Sequence, residues 1–120
     1  MAIKNIATYV NKVGKYLKQN LDGAYMIKFH PMECEVFLRL LFESEEDRDV
    51  FGDVRFIISI VSYQNKIRVN VTEISEREKT IGQFILKEEE LQDLIVTRDR
   101  IEKAINKFIQ KEYPGYYLVY

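Results

Sequence analysis

The spacing of apolar residues changes twice along this chain, and that double change limits what it can fold into. Ile3, Ile6, Val10, Val13, Leu17 and Leu21 recur at intervals of three and four, which puts them on one stripe of a helix from about Ile3 to Leu21. Tyr9 and Tyr16 flank the stripe, lysines and asparagines fill the opposite face, and Gly23 stands where a C-terminal cap takes a left-handed residue. Gly14 lies inside the helix. It costs helix propensity there, so it implies close packing against a neighbour.

The period then becomes two. Tyr25, Ile27 and Phe29 alternate with Met26, Lys28 and His30. Beyond Pro31-Met32, the residues Cys34, Val36, Leu38, Leu40 and Phe42 alternate with Glu33, Glu35, Phe37, Arg39 and Leu41, so the two runs read as a hairpin. The acidic segment 43–53 reads as a solvated loop. Val54, Phe56, Ile58 and Ile60 follow on one face, with Arg55, Ile57, Ser59, Val61 and Tyr63 on the other. Gln64-Asn65 suits a tight turn. Ile67, Val69 and Val71 then alternate with Lys66, Arg68, Asn70 and Thr72, and a last strand runs through Thr80–Leu86 with Gly82 marking a bulge or a close approach. Strands are thus predicted near residues 24–30, 33–42, 54–63, 66–74 and 80–86.

The helical period returns after Glu88. Leu91, Leu94 and Ile95 belong to a first piece led by three glutamates, and Thr97 suits the cap of a second piece carrying Ile101, Ala104, Ile105, Phe108 and Ile109. The pattern fits one helix or two. Pro114-Gly115 ends it, and the tail Tyr116-Tyr117-Leu118-Val119-Tyr120 is strongly apolar. The expected fold is therefore α+β in one domain, residues 1–120: an N-terminal helix, a five-stranded antiparallel meander-like sheet, a C-terminal helix and a short aromatic tail. The expected core comprises Ile6, Val10, Val13, Leu17, Phe29, Val36, Leu38, Phe56, Ile58, Val69, Ile101, Ile105 and Phe108.

Composition removes several functions. Apolar residues are 47% of the chain and charged residues 31%, a globular balance. Cys34 is the only cysteine, so neither an intrachain disulfide nor a multi-cysteine zinc site can form, and a lone thiol fits a reducing compartment. The densest apolar stretch, around Phe56–Val61, is far short of the roughly twenty residues that span a bilayer. No secretory signal is evident, and the expected location is cytoplasmic, away from membranes.

His30 is the only histidine and falls on the opposite arm of the hairpin from Cys34, so neither a metal site nor a Cys-His nucleophile is expected. The glycines are isolated, which excludes the usual phosphate cradles, and no motif calls for a cofactor. The run Glu43–Asp49 matches no calcium loop.

Two features point to binding rather than catalysis. Strands two and three are apolar on both faces, through Phe37 and Leu41 on one and Ile57 and Val61 on the other, so a single helix layer leaves apolar surface to be covered. Tyr116, Tyr117 and Tyr120 add a second apolar surplus. The expected function is a small non-catalytic protein-binding or self-associating module, with a protein partner or a second copy as its target. Charge is segregated as well: residues 1–30 carry five lysines against Asp22, net +4, whereas residues 31–53 carry eight carboxylates against Arg39 and Arg48, net −6. Such asymmetry steers and selects partners. Nucleic acid is the less favoured partner, with Lys12 and Lys15 on the helix or Lys66 and Arg68 on the sheet, near Tyr63, as contacts. A small-ligand carrier or enzyme with a pocket between sheet and C-terminal helix is the remaining alternative.

Overall fold

A computed structural model describes residues 5–40, 46, 52–75 and 78–112. Helix α1 spans Ile6–Asn20 and is followed by β1 (Ala24–His30), β2 (Glu33–Arg39), β3 (Arg55–Tyr63), β4 (Lys66–Glu73) and β5 (Lys79–Leu86). A 3-10 turn at Glu88–Gln92 leads into helix α2, Leu94–Glu112. The five strands form one sheet in the order β1-β2-β3-β4-β5, with antiparallel neighbours throughout. This is the expected α+β meander, and its strand bounds lie within a few residues of those read from periodicity.

The turns explain why the meander closes tightly. His30 pairs with Glu33 across Pro31-Met32, and Met32 has φ 61°. Proline supplies the negative φ of the first central position, and the positive φ at the second fits a type II turn. Tyr63 pairs with Lys66 across Gln64 and Asn65, both left-handed at φ 48° and 61°. Two positive φ values define the type I′ turn, whose twist matches that of the strands it joins. Gly23, at φ 84°, releases the chain from α1 into β1.

Both helices pack on one face of the sheet. Val10, Val13 and Leu17 of α1 and Leu21 just after it, with Leu94, Ile101, Ile105 and Ile109 of α2, are buried against Cys34, Val36, Leu38, Phe56, Ile58, Ile60, Ile67, Val69 and Val71. Two glycines permit the close approach. A Cβ on Gly14 would collide with Cys34 Sγ, and one on Gly82 would lie 3.0 Å from Ala104 Cβ. Gly82 also adjoins a bulge: Val71 pairs with Gly82 but Thr72 pairs with Thr80, which leaves Ile81 as the extra residue.

Several expectations are corrected. Phe29 is not core. It pairs with buried Cys34 and so faces the helix layer, but it sits at the end of edge strand β1 and stays 48% exposed. Lys15 Nζ lies 5.9 Å from its ring centroid and is its partial cover. Ile6 and Phe108 pack against the core but are only partly buried. Phe108 meets Phe56 edge to face, centroids 5.8 Å apart. Thr97 is no cap: it is buried inside α2, and Asp93 Oδ1 instead accepts the Ile95 N–H at 3.2 Å. The segment after Glu88 is thus one α-helix preceded by a 3-10 turn. The start of the first helix at Ile3, the end of the second predicted strand at Phe42, and the aromatic tail lie outside the described residues.

Candidate interaction face

Because side chains alternate along a strand, the register assigns every residue on the sheet face opposite the helices. Three rows cross that outer face. Met26, Phe37, Ile57 and Thr72 form one; Lys28, Glu35, Ser59, Asn70 and Gln83 the next; His30, Glu33, Val61, Arg68 and Ile85 the third. Tyr63 and Lys66 follow at the hairpin end, and Arg39 and Arg55 at the other.

The structure therefore brings Phe37, Ile57 and Val61 onto one surface, as the two-faced pattern required. Leu41, Tyr116, Tyr117 and Tyr120 fall outside the described residues. Among the described residues both helices lie on the other face of the sheet. Phe37, Ile57 and Val61 are half-buried by their neighbours, while Tyr25, Tyr63 and Ile85 remain 44%, 40% and 42% exposed.

Tyr25 is an addition that alternation conceals. Ala24 pairs with Leu38 and Met26 with Phe37, so a bulge at Tyr25 breaks the period. Its ring lies beside Phe37, centroids 6.4 Å apart, rather than beside Ile27 and Phe29 as strict alternation predicts. Tyr63 and Ile85 are legible from parity alone once β3 and β5 are placed.

Charge on the outer face is arranged around its rings. Arg39 lies 5.7 Å over Tyr25, Lys28 5.2 Å over Phe37 and Arg68 4.5 Å over Tyr63. Asp53 holds both Arg39, at 3.1 Å, and Arg55, at 2.7 Å. The carboxylates on the outer face of the described strands are Glu33 and Glu35, both on β2, and His30 Nε2 is 2.8 Å from Glu35 Oε1. The cations Lys66 and Arg68 are both on β4. Glu33 on β2 and Arg68 on β4 thus lie on opposite sides of Val61 of β3, while Lys28 of β1 sits beside Glu35. Arg68 Nε and Asn70 Oδ1 have no hydrogen-bond partner among the described residues.

The two basic pairs read from the sequence do not form one patch. Lys12 and Lys15 sit on α1, in the helix layer, whereas Lys66 and Arg68 occupy the outer face. Lys12 Nζ lies 5.8 Å from the Tyr9 ring of its own helix. A smaller apolar spot is formed by Ile95 and Val96, exposed at the start of α2.

Burial pushes the Cys34 thiol up to about 11, with Glu35 and then Glu33 adding to the shift. A thiol so placed is protonated at neutral pH and is a poor nucleophile. Among the described residues no group of three His, Cys, Asp or Glu side chains is placed to hold a metal ion, and no helix is long and apolar enough to cross a membrane. No family model, no curated protein and no solved structure matches the chain.

Proposed function

We propose that this protein is a non-catalytic binding module that associates through its outer sheet face with a protein surface, either a second copy or a different chain. The observation that carries this reading is the continuity of Met26, Phe37 and Ile57 across three strands, extended by Tyr25, on the face away from the helices, with Val61 and Ile85 as further apolar points beyond the polar Ser59 row. Contiguous apolar surface rimmed by charge is where soluble domains meet partners.

The face also has the composition of an interface: aromatic and arginine side chains supply much of the binding energy where proteins meet. Segregated charge adds selectivity. The deeply buried thiol supports the non-catalytic part of the reading. The pocket-bearing carrier or enzyme has less support, because α2 rests directly on the sheet where Ala104 meets Gly82 and where Phe108 meets Phe56.

Replacing Ile57 by lysine tests the proposal. Ile57 points away from the core, so the variant is expected to keep its thermal midpoint but lose self-association by sedimentation, or lose retention of a purified co-isolating protein. Wild type and variant behaving alike in both assays would overturn it.

Nucleic acid is the second reading, favoured by the three ring–cation pairs on the sheet. It requires a labelled single-stranded oligonucleotide to bind with strong salt dependence and to be released by Arg68→Ala.

A further inference from the structure

We infer that the partner of the outer face is a second copy of this chain, stacked sheet on sheet about a two-fold axis that runs along β3. The inference rests on the reading of the outer face as the binding surface and adds the identity and register of what binds there.

On the outer face Glu33 lies on β2 and Arg68 on β4, level with each other on either side of Val61 of β3. A two-fold rotation about an axis parallel to β3, lying between two facing sheets, sets β3 over its own copy. It sets β2 over β4 of the second copy and keeps each cross-strand row level. Glu33, Val61 and Arg68 occupy one row. The rotation therefore places Glu33 opposite Arg68 of the second copy and, by symmetry, Arg68 opposite Glu33, with the two Val61 side chains between them. In the apolar row it places Phe37 opposite Thr72 and Ile57 opposite Ile57. Carboxylate meets guanidinium at two symmetric points on either side of the Val61 pair, and the polar middle row sets Ser59 opposite Ser59 and Glu35 opposite Asn70, as a self-complementary two-fold interface allows.

The competing two-fold axis, perpendicular to the strands through the Ser59 row, has no such match. It sets Glu35 on Glu35 and Arg68 over Thr72. Like charge would meet like charge in a partly dry interface. The two-fold along β3 does set Arg55 over Arg55 at the far end of the sheet, where Asp53 holds each guanidinium at 2.7 Å and limits repulsion between copies. Facing sheets also cross at about 30°, so end rows diverge while the centre stays in contact.

The area is sufficient. Five strands at about 4.8 Å spacing and seven residues at about 3.3 Å give roughly 550 Å² per copy. Two such faces bury about 1,100 Å², just above the ~1,000 Å² at which specific interfaces begin. A dimer of this size is expected to be concentration-dependent, and the helices would lie on its outside.

Charge reversal with rescue tests the inference. Sedimentation equilibrium on the full chain should report a monomer–dimer equilibrium. Glu33→Arg alone and Arg68→Glu alone should each weaken dimerisation by about tenfold or more, because like charges then face each other twice. The double variant should recover dimerisation to within about threefold of wild type. Val61→Lys, on the axis, should give a folded monomer with an unchanged circular dichroism spectrum.

A chain that stays monomeric at hundreds of micromolar overturns the inference; the occupant is then another protein, a nucleic acid or this chain's own residues 113–120. Reversals that are not rescued in the double variant overturn the β2-over-β4 register. If Val61→Lys still abolishes association in that case, the outer face remains the binding surface and only the two-fold along β3 falls. A dimer indifferent to Val61→Lys, Glu33→Arg and Arg68→Glu alike overturns both.

Discussion

The two faces of the one sheet differ in composition and in fate: the inner face is almost wholly apolar, whereas the outer face mixes Met26, Phe37, Ile57 and Val61 with charged and polar side chains. On the inner face Val36, Leu38, Phe56, Ile58 and Val69 are fully buried beneath α1 and α2. On the outer face Phe37, Ile57 and Val61 are only half-buried, ringed by Lys28, Glu33, Glu35 and Arg68. The inner face is apolar because the helices need a dry floor. Among the described residues no helix covers the outer face, and that is the ground for proposing a partner there.

The largest expected effect breaks the comparison at adjacent residues of β2. Leu38→Ala should cost roughly 2–5 kcal/mol, from lost transfer energy plus the cavity left behind. Phe37→Ala, one residue away on the outer face, should cost well under half of that in the monomer. Urea denaturation of both variants checks this, and equal losses would mean that the outer face is structural.

Gly14→Ala probes how closely α1 lies on the inner face. The added methyl collides with Cys34 Sγ, so a loss of about 1–3 kcal/mol is expected from overpacking. Cys34→Ala should recover part of that loss when combined with it, because it removes the obstructing sulfur. A double variant no better than the sum of the two single changes would show that the helix shifts instead.

Thr97→Val is expected to move stability the other way. The Thr97 hydroxyl is buried in α2 with no hydrogen-bond partner among the described residues. Replacing it by a methyl of like shape should raise stability by about 1 kcal/mol. A loss in thermal denaturation would reveal a partner for the hydroxyl.

The smallest effect sharpens the distinction between facing the core and being in it. Phe29 has inner-face parity but lies half in water at the end of β1. Phe29→Ala should cost no more than about 1 kcal/mol, since half the ring never leaves solvent. A loss as large as that of Leu38→Ala would place a cover over it.

These contrasts also separate what was legible in the residues from what was not. Alternation in Cys34–Arg39 and Arg55–Tyr63 is local: each residue's face follows from the pleat, so the strands, their order and the two-faced character of β2 and β3 could be read directly. Gly14 and Gly82 announced close approaches, because a glycine inside a helix or strand is costly unless something lies where its side chain would be. The turn at Gln64-Asn65 was legible for the same local reason.

Long-range placement was not legible. The bulge at Tyr25 adds one residue without any marker such as glycine, so the period carried Tyr25 to the wrong face. Phe29 alternates as a core residue does, and only the reach of α1 over the edge strand decides that it stays wet. Thr97 has the chemistry of a cap, but its burial within α2 follows from where the helix begins, and Asp93, whose Oδ1 accepts the Ile95 N–H, stands at that point. The candidate face depended on both levels. Periodicity along each strand determined that Phe37, Ile57, Val61 and Arg68 share a side. The pairing of β2 with β3 and β3 with β4 placed Glu33 and Arg68 level on either side of Val61, because register is set by contacts between segments far apart in the chain, and no single segment carries it.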